Sequence, residues 1–208
     1  MGRFKSTSER ARRAHWRDPL FYWRGAVSPS GAWQGSWIAS EAGLPSDDAF
    51  SASTNTFQLQ SAIPLAPPAP GGQSTDFTGS YLLDNGDGPN SYSDFEHSIH
   101  WTSALVAGVS PSFLESRFAT LVEYHQWLKT QQAESWCLVT ASGNSEFGRF
   151  ISAGRLEFAQ APARPTLKFA RRYVANKDPR TKRTAAELVE ECIHAEEPYS
   201  PWTVLRCE

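Results

Sequence analysis

The chain has 208 residues, 40% of them hydrophobic and 20% charged, with a formal net charge of −2. That length and composition suit one domain with a substantial core and exclude wholesale disorder. The near-neutral balance argues against nucleic acid as a general partner and leaves only local basic stretches to consider.

Residues 1–18 read as a basic, flexible N-terminal tail. Their Arg- and Ser-rich composition suits an organellar import signal, a nuclear address or a disordered arm, and the opening Met-Gly-x-x-x-Ser matches the loose myristoylation pattern. "LFYWRGAV" (20–27) is a short aromatic run between Pro19 and Pro29, as a strand would be. "GAWQGSWIAS" (31–40) alternates, with Trp33, Gly35 and Trp37 on one face, and Gly35 would admit a close neighbouring backbone or ring. "EAGLPSDDAFSAS" reads as a loop. "TNTFQLQSAI" (54–63) alternates again, with Phe57 and Leu59 on one side. "PLAPPAPGGQST" (64–75) is a Pro/Gly-rich connection.

"DFTGSYLLD" (76–84) and "SDFEHSIHW" (93–101) read as two strands around "NGDGPN". A helix is expected from Ser110 to about Gln131: Pro111 suits its first turn, and Leu114, Phe118, Leu121, Val122 and Leu128 recur at helical spacing. Strands return at 135–143, 149–160 and 166–174, with Phe150, Ile151 and Phe158 as core candidates. The strand at 166–174 sets Leu167, Phe169 and Arg171 opposite Lys168, Ala170 and Arg172. "TAAE" (184–187) is a capping box that opens a second helix with the stripe Leu188, Val189, Cys192 and Ile193. "PWTVLRC" (201–207) is an edge strand or an ordered tail.

Strands joined by turns, without strand–helix–strand alternation, predict a mainly β fold: an antiparallel meander of about eight strands closed into a barrel, with two accessory helices. The expected organisation is tail 1–18, barrel 19–175 with a helix inserted near 111–131, and a C-terminal helix and tail over 176–208. Cys137, Cys192 and Cys207 are odd in number and lack metal-ligand spacing. They point to free thiols in a reducing, intracellular compartment, cytoplasmic or nuclear. No apolar run is long enough to span a bilayer as a helix.

"GAWQGSW" near the start of this meander resembles the Gly-x-Trp opening of calycin-type barrels, the group that includes lipocalins, fatty-acid-binding proteins and avidins. "GNSEFGRFISAG" followed by "LKFARRY" is similar to the closing hairpin of small barrel domains in uncharacterised eukaryotic proteins. The resemblance covers residues 20–175 and implies a barrel that binds something. It also implies that an early Trp, Trp33 or Trp37, closes the barrel floor beside a late-strand Arg, Arg171 or Arg172.

The polar stretch "SYLLDNGDGPNSYSDFEHSIHW" (80–101) invites a metal reading. An EF-hand loop started at Asp84 would place Gly86 and Gly88 where it needs oxygen ligands, so the pattern fails. Asn85-Gly86 and Asp87-Gly88 are instead strong turn dipeptides. In a regular strand Asp94, Glu96, Ser98 and His100 share one face, opposite Phe95, His97 and Ile99. That separates the two histidines and leaves too few ligands for zinc. No metal and no cofactor is expected.

Glu96 and His100 are the acid–base candidates for a barrel enzyme. The run Lys168, Arg171, Arg172, Lys177, Arg180, Lys182 and Arg183 could bind phosphate, RNA or an acidic partner, or be neutralised by the acidic helix that follows. The leading expectation is non-catalytic: a small apolar ligand or a protein segment held in the barrel or at its rim. Trp33, Trp37, Phe57, Tyr81, Trp101 and Phe150 would supply apolar walls, with polar groups such as Arg171 and His100 to orient the ligand, or would simply fill the barrel as core. The alternatives are the Glu/His enzyme and an interaction subunit of a larger assembly.

Overall fold

The computed structural model describes residues 19–63, 72–103, 136–157 and 164–193, together with Leu205. Eight strands run in order around a closed antiparallel barrel, each paired with its sequence neighbours and the last with the first. They are β1 (Leu20–Val27), β2 (Ala32–Ser40), β3 (Thr56–Ser61), β4 (Gln73–Asp84), β5 (Pro89–Ser103), β6 (Trp136–Ser145), β7 (Gly148–Glu157) and β8 (Thr166–Tyr173). The β1–β8 ladder, from Phe21–Arg171 to Ala26–Thr166, removes the open edges that a meander would otherwise expose.

Period-two alternation builds two cores, one on each side of the sheet. The inner one holds Trp23, Trp33, Phe57, Phe77, Trp101, Phe169 and their neighbours. Gly25 and Gly35 pair across β1 and β2: a Cβ on Gly25 would lie 2.9 Å from the Phe57 ring, and one on Gly35 would meet the β1 backbone. The outer core joins Tyr22, Leu138, Ile151, Ala153 and Ala170 to the C-terminal helix. Phe150 and Ile151 thus serve opposite sides of β7.

Two α-helices are described: α1 (Asp47–Ala52) and α2 (Ala185–Ile193). Helix α1 lies where the sequence reads as a loop. The Ser46 hydroxyl accepts from the Ala49 N–H, and Phe50 is buried in the outer core. Helix α2 begins at the expected capping box: the Thr184 hydroxyl accepts from the Glu187 N–H, and the Glu187 carboxylate accepts from the Thr184 N–H at 2.7 Å. Its stripe of Leu188, Val189 and Cys192 is buried against the barrel, and Thr140 donates to the Ala185 carbonyl. Arg183 pairs with Glu191 at 3.2 Å, so the acidic helix does neutralise part of the basic run.

The tail 1–18, the helix expected near 111–131, Phe158 and most of the 201–207 segment lie outside the described residues. Leu205 of that segment is buried in the outer core. No helix among the described residues is long and apolar enough to cross a membrane.

Candidate functional site

Strand β5 departs from simple alternation at one point. Phe95 is an extra residue relative to both neighbours: Asp94 pairs with Ser145 while Glu96 pairs with Asn144, and the β4 register shifts at the same place. This is a β-bulge, which re-aims the side chains on either side of it. Phe95 is left outside, 51% exposed. The Ser93 N–H donates to the Glu146 carboxylate of the neighbouring turn at 2.9 Å. The bulge moves Asp94 off the face it would share with Glu96 and into the interior, beside His97 and Ile99.

Inside, Asp94 meets a cation. Arg171 Nη2 donates to Asp94 Oδ2 at 2.8 Å, and His97 Nδ1 lies 3.3 Å from both atoms. All three side chains are fully buried. The guanidinium sits between two rings, 3.7 Å from the Phe150 centroid and 4.2 Å from that of Trp23. Such desolvated cation–π contacts reach about 2 kcal/mol.

Burial by itself would raise the Asp94 carboxyl, but the Arg171 charge, then His97 and the hydrogen bonds to both, hold it well below the usual carboxylate range. Burial pushes His97 down and outweighs the opposing pull of Asp94, so the imidazole is neutral. For Arg171 burial is opposed by Asp94, which keeps the guanidinium charged. The cluster is therefore one ion pair flanked by a neutral histidine.

Above this cluster, at the end of the barrel where β1 begins and β8 ends, Phe21, Trp23, Trp37, Tyr81, Leu83, Phe147 and Tyr173 converge on a cavity of about 10 Å³. That is roughly the room one water needs. The β4–β5 turn closes the same end. Gly86 and Gly88 adopt φ of 95° and 100°, and the Asp84 carboxylate accepts from the Gly86 N–H at 2.8 Å. The conspicuous "DNGDG" is thus a turn at the barrel mouth. Trp37 is fixed by donating to the Leu82 carbonyl at 3.0 Å. Phe147, on the β6–β7 turn, lies against Tyr92 with ring centroids 5.0 Å apart and is 38% exposed.

Hydroxyls gather on one side of this mouth. Ser145 and Tyr173 are 3.2 Å apart, and the Tyr81 hydroxyl lies beside them without a well-formed hydrogen bond. Burial raises the Tyr81 phenol far above its ordinary range, so it stays protonated.

Of the residues expected to form walls, Trp37 and Tyr81 line the mouth. Trp33, Phe57, Trp101 and Phe150 are buried deeper in the inner barrel, where the Trp33 and Phe57 ring centroids lie 4.4 Å apart. Arg171 lies between the two levels, and the late-strand Arg stacks on Trp23 rather than on Trp33 or Trp37. Glu96 and His100 lie on the outer face of β5. Glu96 is exposed there, while His100 is covered and shares a 2.7 Å hydrogen bond with Ser74 through Nδ1. The pair therefore does not face the interior.

Among the basic run, Lys168 pairs with Glu157 at 2.7 Å and Arg180 with Asp178 at 2.6 Å. No group of three or more His, Cys, Asp or Glu that could hold a metal occurs among the described residues. Sequence reasoning missed Asp94, His97 and Trp23. The one available signal was Asp94 three residues before His97, a spacing that becomes one-sided only across a bulge. No protein-family model, no curated protein and no solved structure matches this chain.

Proposed function

We propose that this barrel is a non-catalytic binding protein that holds a small apolar ligand at its rim, over the aromatic mouth. The observation that carries this reading is the convergence of seven large, uncharged side chains at one end of a barrel whose middle is filled by rings. A filled middle favours the rim over the interior. Aromatic walls supply apolar area, while the nearby hydroxyls of Ser145, Tyr81 and Tyr173 supply orientation. The consecutive-strand meander, its early Trp pair and its late buried Arg support reading the barrel as calycin-like. The buried thiols of Cys137 and Cys192 suit an intracellular setting.

One observation favours a protein segment as a second reading. Phe95 and Phe147 are both exposed and lie within two residues of the Asp94–Ser145 pair, which extends apolar surface beyond the mouth. The experiment is a fluorescence titration with the neutral dye Nile red. Saturable binding that is lost in Phe147→Asp, at the mouth, and kept in Ile63→Asp, past the end of β3 at the opposite end, supports the rim site. No saturable binding, or equal loss in both variants, overturns it.

A further inference from the structure

The mouth's own chemistry narrows the class of ligand. None of its lining side chains carries a charge. The nearest buried cation, Arg171, already has its counter-charge in Asp94. An anion placed there would be desolvated against a guanidinium whose charge Asp94 already neutralises, and a cation would find only the paired carboxylate.

Two lining residues nevertheless carry deeply buried polar atoms that lack a hydrogen-bond partner: Tyr81 at its hydroxyl and Trp23 at Nε1. Both side chains are more than nine-tenths buried. Leaving such donors unsatisfied costs more than a hydrogen bond made to them would contribute. They call for a neutral acceptor. Size gives the third constraint. The present cavity takes little more than a water, and the ring bordering it with most exposure is Phe147. That ring lies 5.0 Å from Tyr92 and 6.3 Å from both Tyr81 and Tyr173, centroid to centroid. It sits on a two-residue turn ended by Gly148 at φ 114°, where it can swing out without unpairing a strand. The space it would leave is that of one aromatic ring.

We infer that the mouth selects an uncharged, single-ring aromatic molecule bearing a hydrogen-bonding oxygen or nitrogen, which replaces the Phe147 ring and bonds Tyr81 and Trp23. The inference rests on the rim reading above and specifies its ligand class.

Three probes of similar shape test it at neutral pH: p-cresol, toluene and p-toluate, titrated by calorimetry against the full chain. The wild type binds p-cresol at least about tenfold more tightly than p-toluate, because the anion meets no free cation. Phe147→Ala tightens both neutral probes about tenfold by opening the ring-sized space. Tyr81→Phe removes only the unpartnered hydroxyl; it weakens p-cresol about three- to tenfold and leaves toluene unchanged. If toluene binds but p-toluate equals p-cresol, or Tyr81→Phe affects p-cresol and toluene alike, the ligand class is wrong while the rim site stands. If none of the three probes binds wild type or Phe147→Ala, the ligand class is overturned, and the Nile red titration decides the rim site separately.

Discussion

Arg171 on β8 donates from Nη2 to Asp94 Oδ2 on β5 at 2.8 Å, and neither side chain has any exposed surface. Within a barrel lined by rings, each charge is tolerable only because of the other. Asp94→Ala leaves the guanidinium buried and uncompensated, and the expected loss is about 3–5 kcal/mol of unfolding free energy. The double replacement Asp94→Leu with Arg171→Met removes both charges and recovers a large part of that loss. Urea denaturation of the two variants checks this, and a single-variant loss no larger than that of the double variant contradicts it.

Acid weakens the same cluster by two routes of equal sign. An unfolded histidine titrates at about pH 6.5. Folded His97, faced by Asp94, Arg171 and Asp76, titrates lower because it is buried, so below that pH the unfolded chain binds more protons and stability falls. Buried His100, near Glu190, adds a contribution of the same direction. The folded pKa of Asp94 is depressed, so its contribution is complete above about pH 4 and is lost as pH drops toward the folded value. The melting temperature should therefore decline from about pH 7 to 5 and again below about pH 4. His97→Gln should make the first decline shallower, leaving the His100 part, and keep the second. A wild-type melting temperature that is level across the first interval contradicts the assignment.

Close approach of β1 and β2 depends on Gly35. A Cβ there would lie 2.0 Å from the Arg24 carbonyl oxygen and 2.5 Å from the Gly25 Cα. Both obstacles are backbone, so relief requires moving a strand. Gly35→Ala should cost about 1–3 kcal/mol, the range of overpacked cores, measured by chemical denaturation. Gly86→Ala, whose Cβ would meet nothing within 4 Å, should cost less, with its positive φ as the only penalty.

Helix α2 offers a local test. Thr184→Ala removes the hydroxyl that accepts from the Glu187 N–H and should cost about 1 kcal/mol. Amide exchange should quicken in α2 before it does in β6 or β7. Uniform acceleration over the whole barrel would show that the cap is not a local contribution.

The strands and their faces were largely legible in the sequence. Alternation of Trp33, Gly35 and Trp37, or of Leu167, Phe169 and Arg171, follows from the two-residue repeat of a strand, and the structure turns each set inward. "DNGDG" read as a turn for a backbone reason, and Gly86 and Gly88 do take positive φ. The capping box at Thr184 was equally local. What such repeats and short motifs encode is fixed within a few residues of chain, so composition and order suffice to read it.

Only the tertiary structure decided where Asp94 points. A regular strand would put it outside with Glu96, but the extra residue Phe95 is accommodated as a bulge against both neighbouring strands, and Asp94 turns in to Arg171. Nothing within the strand itself specifies this, because the partner is 77 residues away on β8. The same holds for the mouth, where residues from β1, β2, β4, β8 and the β6–β7 turn meet. Closing the barrel brings those side chains together, because β1 and β8 become neighbours only when the first strand pairs with the last.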